Sequence, residues 1–134
     1  MSEVDDGAKA IVRLTPFEAE RLLENAEDTY ADEEDDGRVA PRYGISVLAT
    51  VLRGPGDLDA AVARIVAGTT LNGRRMAVLT TTELTNAGFV LVQDANELEP
   101  DHHLIGEGDM QKPPRVGDLE SLFKRDIRKF PRKK

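Results

Sequence analysis

The segment "GISVLATVLRG", residues 44–54, is the feature that most restricts how this chain can fold. Apolar and β-branched residues occupy both the odd and the even positions of the segment. Successive side chains of a strand point to opposite faces, so a strand of this composition must be covered on both sides. The chain therefore needs a sheet with other elements packed on each face.

Short apolar runs alternate with helical patterns along the rest of the chain. The other runs that predict strands are 10–14, 76–79, 89–93 and 102–106. Four further segments place apolar residues at the i, i+3, i+4 spacing of a helix. This order predicts an α+β fold, in which about four helices pack on a small mixed sheet of four or five short strands. Connections through helices could give the sheet a parallel portion, and the last two strands should form a hairpin.

Capping residues predict where two of the helices begin. Thr15 is the predicted N-cap of the first helix, and Glu18 would complete a capping box with it. Thr80 and Glu83 repeat the same spacing before the third helix, which Gly88 should end.

Charge is distributed unevenly over the 134 residues, whose net charge is −7. Residues 1–111 carry 22 acidic and 9 basic side chains, whereas residues 112–134 carry 3 acidic and 9 basic ones. No linker or repeat divides the chain, so 1–134 is predicted to be a single domain. Within it, repulsion between like charges predicts a solvated acidic loop around 27–42.

The basic end of the chain, 116–134, is predicted to form a helix followed by a short tail. Asp118 is the predicted N-cap of that helix. Apolar residues line one side of it, namely Leu119, Leu122, Phe123, Ile127 and Phe130. We expect this stripe to pack on the sheet.

The composition excludes several classes of protein. Without cysteine there can be no disulfide, thiolate metal site or cysteine nucleophile. No apolar run approaches the roughly 20 residues of a membrane-spanning helix, and the acidic N-terminus lacks a signal-peptide pattern. No glycine motif for phosphate or dinucleotide binding is present, so no cofactor is expected. We therefore expect a cytoplasmic protein that binds no membrane.

Both histidines lie in one predicted strand, within "EPDHHLIGEGD" (99–109). Adjacent strand residues point to opposite faces, so His102 and His103 cannot easily converge on one ion, and no metal site is expected. A structural role for both rings is the main interpretation. As an alternative, His103 shares a face with Asp101 and Glu107, and these three are the candidate catalytic residues for general acid or base chemistry.

The sequence "LTNAGFVLVQ" (84–93) followed by "DHHLI" (101–105) resembles a fragment of the HicA-type toxins, a family of small ribonucleases. The similarity covers a helix ending in Gly-Phe, a strand, and a histidine on the next strand. It implies an RNA-cleaving histidine at His102 or His103. Pro100 and Asp101 stand where the family has Gly-Ser before its histidine, and the connecting segment is longer.

The charge pattern favours a protein that binds another protein. The predicted partner-binding residues are Asp32, Glu33, Glu34, Asp35, Asp36 and Tyr43, because an acidic surface docks a basic partner and tyrosine is favoured at interfaces. We expect a non-enzymatic interaction or regulatory protein, such as an inhibitor, an antitoxin-like protein or an accessory subunit. The alternative is a histidine-dependent ribonuclease of the HicA type. Nucleic acid could be contacted only by the basic C-terminal segment, since the acidic body repels phosphate.

Overall fold

An antiparallel sheet forms the centre of the structure, a computed structural model that describes residues 8–54, 56–67, 75–94 and 101–129. Within these ranges the sheet has six strands: β1 (Lys9–Leu14), β2 (Ile45–Val51), β3 (Arg75–Thr80), β4 (Val90–Gln93), β5 (His102–Gly106) and β6 (Ile127–Lys129). Their spatial order is β4-β5-β2-β1-β3-β6, and each neighbouring pair is antiparallel. The predicted α+β class and the antiparallel pairing of β4 with β5 are confirmed. The predicted number of strands, four or five, is too low.

Four helices accompany the sheet in the described ranges: α1 (Ala19–Asp35), α2 (Leu58–Ala67), α3 (Thr81–Asn86) and α4 (Val116–Phe123). None of these described helices is long and apolar enough to cross a membrane. Buried residues of α1, α3 and α4 share one hydrophobic cluster with Ile11 and Val47. Buried residues of α2 share a second cluster with Val12, against which Leu48 packs. The sheet therefore has an α1 face and an α2 face, and β2 is covered on both sides as 44–54 predicted.

The predicted parallel portion is wrong, and the path of the chain shows why. Residues 36–44 return the chain to the end of the sheet where β1 stops, so β2 begins beside Leu14 and runs antiparallel to β1. The crossover through α2 does join two strands of the same direction, β2 and β3. However, β1 lies between those two strands and pairs with both of them.

The start of α3 follows the predicted local signals. Thr80 Oγ1 accepts a hydrogen bond from the Glu83 amide (3.3 Å), and Glu83 Oε1 accepts one from the Thr80 amide (3.0 Å). The capping box is therefore confirmed. The helix ends at Asn86, and Gly88 follows with a φ of 92°, a conformation that glycine adopts without steric cost.

The start of α1 differs from the prediction. The helix begins at Ala19 with Glu18 as its N-cap, and no side chain caps it, so the capping box predicted at Thr15 is wrong. Instead, the Ala19 amide donates to Glu120 Oε1 of α4 (2.9 Å). A contact between two helices thus satisfies a backbone donor that the sequence assigned to a local cap.

The acidic loop predicted around 27–42 is also wrong, because α1 continues to Asp35. Tyr30 stacks on Tyr43 with ring centroids 4.4 Å apart. Glu33 binds Arg42 (2.7 Å) and Arg38 (3.2 Å). These tertiary contacts offset the repulsion between neighbouring carboxylates, and only the segment after Asp36 remains irregular.

The C-terminal helix predicted for 116–134 is shorter than expected. It begins at Val116, so Asp118 is not its N-cap, and it ends at Phe123. Ile127 belongs to β6, where it pairs with Ala77 and still packs against the cluster on the α1 face. The Val78 amide donates to the Asp126 carbonyl (2.9 Å). The segment around Ile127 therefore pairs with the edge of β3 as a strand and does not continue the helix. Phe130 lies outside the described residues, as does the rest of the predicted tail.

We predict that Phe123→Ala will lower the free energy of unfolding by about 3–5 kcal/mol, since a buried aromatic ring is removed and a cavity is left. Phe123 is fully buried, and its ring centroid lies 6.5 Å from that of Phe17. Urea denaturation of both proteins would measure the change. The control is Val39→Ala, because Val39 is fully exposed. An unchanged midpoint for Phe123→Ala would mean that α4 does not stabilise the fold.

Candidate functional site

The two histidines of β5 lie on opposite faces of the sheet, as strand alternation predicted. His103 is opposite Val47 and therefore on the α1 face, whereas His102 is opposite Leu48 on the α2 face. Only 3% of His103 is exposed, compared with 16% of the His102 side chain. The two rings therefore have different environments and cannot act on the same group.

His103 is held in one tautomer by its neighbours. The Lys9 ammonium has no lone pair, so Nζ donates to His103 Nε2 (2.7 Å). Nδ1 then carries the ring hydrogen and donates to the Asp101 carbonyl (2.8 Å). Burial, with a smaller contribution from the Lys9 charge, lowers the pKa of His103 from its ordinary value. His103 is thus a neutral, buried ring with both nitrogens engaged.

The three candidate catalytic residues do not converge. Asp101 contacts His103 through its backbone carbonyl, and its carboxylate makes no hydrogen bond within the described part of the chain. Glu107 lies about 13 Å further along the strand direction, at roughly 3.3 Å per residue. Its carboxylate accepts hydrogen bonds from the amide and Nε of Arg115. The structure therefore gives His103 no carboxylate to orient it.

A carboxylate does accompany the other histidine. Asp94 follows β4, and its amide donates to the His102 carbonyl (2.9 Å). Its carboxylate Oδ2 lies 2.9 Å from His102 Nδ1. Oδ1 accepts a hydrogen bond from Arg42 (3.2 Å), which also binds Glu33 through two nitrogens. The sequence analysis missed Asp94, although extending the β4–β5 register by one residue would have placed it opposite His102.

Arg42 fixes this group electrostatically. Its side chain is largely enclosed and lies between the carboxylates of Glu33 and Asp94. Burial alone would raise the pKa of Glu33, but the hydrogen bonds and charge of Arg42 hold that pKa below its ordinary value. Glu33 is therefore a structural carboxylate, which anchors the end of α1 to the segment before β2.

Six carboxylates form what we call the acidic face of α1. They are exposed residues of the second half of the helix and its C-cap: Glu27, Asp28, Asp32, Glu34, Asp35 and Asp36. Among the described residues, none of the six has an ion-pair partner. Of the predicted partner-binding residues, Asp32, Glu34, Asp35 and Asp36 belong to this face. Glu33 and Tyr43 do not, since Glu33 binds Arg42 and Tyr43 stacks on Tyr30.

The basic C-terminal segment is partly neutralised by its own fold. Lys124 pairs with Glu120 (2.6 Å), and Arg128 pairs with both Asp59 and Asp126 (2.9 Å each). Arg125 is exposed at the end of α4. The paired cations are less available to an anionic partner than the sequence indicated.

The part of the chain that the structure describes contains no group of three or more His, Asp or Glu side chains placed to hold a metal ion. Asp94 and His102 form a pair only, and Glu33, which shares Arg42 with Asp94, is occupied by that arginine.

No protein-family model matches the chain, and neither the curated proteins nor the solved structures include a significant match. The function proposed below therefore depends on geometry and charge alone.

We predict that acidification will destabilise the protein through His103. Because the folded-state pKa of His103 is lowered, the unfolded chain binds this proton first, and stability is lost as pH falls below about 6.5. In His103→Gln that loss should be absent. The difference in unfolding free energy between wild type and variant should therefore shrink from pH 8 to pH 5. A difference that stays constant across this range would contradict a buried, neutral ring.

We also predict that Glu33→Gln will cost about 1–3 kcal/mol of stability, because charged hydrogen bonds to Arg42 are lost. The matched control is Glu34→Gln, which changes the neighbouring exposed carboxylate and should leave stability unchanged within error. Chemical denaturation of both variants measures the contrast. Equal effects would show that α1 is not anchored through Glu33.

Proposed function

We propose that this protein is a non-enzymatic interaction or regulatory protein of the cytoplasm, which binds a basic protein surface through the acidic face of α1. An inhibitor, an antitoxin-like protein or an accessory subunit would each work in this way. The proposal rests on one observation, namely that six exposed carboxylates without ion-pair partners in the described chain are displayed on one ordered helix.

The distribution of ion pairs supports this proposal. Several carboxylates elsewhere in the described chain are paired with cations, as in Asp57 with Arg64 and Glu107 with Arg115. Two basic residues that follow α1, Arg38 and Arg42, could have neutralised its face, yet both bind Glu33. Arg21, in the first turn of the helix, binds Glu24. The acidic face is left for a cation from outside the described chain.

The acidic face is also unfavourable for the isolated protein. Carboxylates near the C-terminus of a helix oppose its macrodipole, and the last turn of α1 contains no basic residue. Neighbouring carboxylates also repel one another. A basic partner would relieve both effects and would be steered to the surface by the summed charge.

The helix presents its charges in a fixed arrangement. Stacking of Tyr30 on Tyr43 and the pairing of Glu33 with Arg42 hold its second half against the rest of the fold. A partner would therefore bind a preformed surface and would not lose affinity to the ordering of a loop. This is a better basis for specific docking than the flexible acidic loop expected from the sequence.

The ribonuclease alternative centred on His103 has less support from the geometry. His103 is buried and its Nε2 accepts from Lys9, so neither nitrogen is available to a substrate hydroxyl. The acidic face would also repel a phosphate backbone.

Neutralising four carboxylates tests the proposal. We expect that Asp32→Asn, Glu34→Gln, Asp35→Asn and Asp36→Asn together will leave thermal stability unchanged or slightly raised, because repulsion is relieved. Proteins captured from the native host by the wild type should be lost by this variant. The control neutralises exposed carboxylates away from α1, namely Asp59, Asp109 and Asp118, and should retain them. A captured protein that both variants retain would contradict docking through this face.

The kinetics of a captured partner give a second measurement. Its association rate with the wild type should fall as salt is raised, whereas the neutralised variant should associate slowly at every salt concentration. Equal salt dependence for the two proteins would show that the acidic face does not guide binding.

A further inference from the structure

A cavity on the α2 face has no role in the proposed docking. Its volume is about 290 Å³. Three apolar side chains of β1 and β2 line it, namely Val12, Leu14 and Leu48. The polar side chains of Thr15, Ser46 and His102 border it as well. On this face α2 packs through Val62 and Ile65, whereas Leu14, Ser46 and Leu48 beside it are only half-buried. An apolar cavity with a few polar groups is the usual form of a small-molecule site.

His102 is the polar group with the most defined chemistry in this cavity. Its Nδ1 donates to Asp94, whose other oxygen is held by Arg42, so the ring is fixed in tautomer and orientation. Within the described residues, Nε2 has no hydrogen-bond partner. With the Nδ1 hydrogen directed at Asp94, the neutral form of the ring presents a lone pair at Nε2 to whatever occupies the cavity.

Two hydroxyl groups border the same cavity. Neither Ser46 Oγ nor Thr15 Oγ1 makes a hydrogen bond to any described residue, although the backbone of Ser46 is bonded to Arg13 and Asn25. Arg13 also borders the cavity, but its guanidinium is bonded to the oxygens of Pro16, Asn25 and Ser46 and so is not free for an anion.

We propose that this cavity binds a small molecule with an apolar body and one hydroxyl group. The hydroxyl donates to Nε2 of His102 and accepts from Ser46 Oγ, while Leu14 and Leu48 contact the apolar body. A ligand that offers only an acceptor, such as a carboxylate, meets the Nε2 lone pair and is disfavoured. The proposal is independent of the acidic face, which lies on a different surface.

Binding fits the geometry better than acyl transfer by Ser46. A serine nucleophile needs a hydrogen bond to its base, and Ser46 Oγ makes none to Nε2. Ser46 is opposite Leu104 and His102 is opposite Leu48, so the two are diagonal neighbours, about 7–8 Å apart at Cα. A ligand hydroxyl could lie between the two side chains and touch both.

Phenol and toluene are suitable probes, because they have similar bodies and only phenol carries a hydroxyl. Each is titrated at pH 8 while methyl resonances of Val12, Leu14 and Leu48 and the imidazole resonances of His102 are followed by NMR. We expect phenol to shift both sets of signals and to bind about 4- to 100-fold more tightly than toluene, the contribution of two hydrogen bonds. Benzoate should bind more weakly than phenol.

Variants test the assignment of each group. His102→Phe, which removes the acceptor and keeps a ring, and Ser46→Ala should each weaken phenol binding about 2- to 10-fold and leave toluene binding unchanged. The matched control is Ser121→Ala, since the Ser121 hydroxyl bonds only to Gly117 within α4. The proposal would be overturned by no shift in the cavity methyl signals, by equal affinity for phenol and toluene, or by phenol binding that His102→Phe leaves intact. Labelling of Ser46 by a fluorophosphonate would likewise overturn it, by showing a nucleophile activated for reaction.

Discussion

A buried arginine without a carboxylate partner joins the elements on which the rest of the structure depends. Arg13 is 8% exposed; it donates to the Ser46 carbonyl (2.8 Å), to Asn25 Oδ1 (3.0 Å) and to the Pro16 carbonyl (3.2 Å). Asn25 Oδ1 also accepts from the Ser46 amide (2.8 Å), so one side chain of α1 is bonded to both central strands. Burial lowers the pKa of Arg13 to about 10, which still leaves it charged at neutral pH. The hydrogen bonds of Arg13 and Asn25 therefore position α1 and, with it, the acidic face.

The fold was predictable where one local interaction decides the outcome. The capping box at Thr80 needs only residues three positions apart. Apolar residues at both odd and even positions of 44–54 require only that both faces of the strand be covered. Prediction failed where distant residues decide. The second half of α1 looks like a repelling loop until Arg42 is placed beside Glu33. Ile127 fits a helical stripe equally well until the edge of β3 is available to pair with it.

The site shows the same division between local and distant information. Strand alternation separated His102 from His103 correctly, but it could not say which ring would meet a carboxylate. Asp101 is two residues from His103 and contributes a carbonyl to it, whereas Asp94 is eight residues from His102 and contributes a carboxylate. Only the register between β4 and β5 shows which histidine meets a carboxylate. The sequence between the two strands carries no turn motif from which that register could be predicted.

Arg42 connects parts of the chain that are far apart in sequence, so the surface of α1 takes its final arrangement only when those parts have come together. Its contact with Asp94 spans 52 residues, so it requires the segment after α1 and the end of β4 to be together. Closing a loop of this length costs more chain entropy than forming a local contact. An incompletely folded chain would carry the same negative charges without their spacing. A partner that reads the spacing of those charges would distinguish the finished protein from its own folding intermediates.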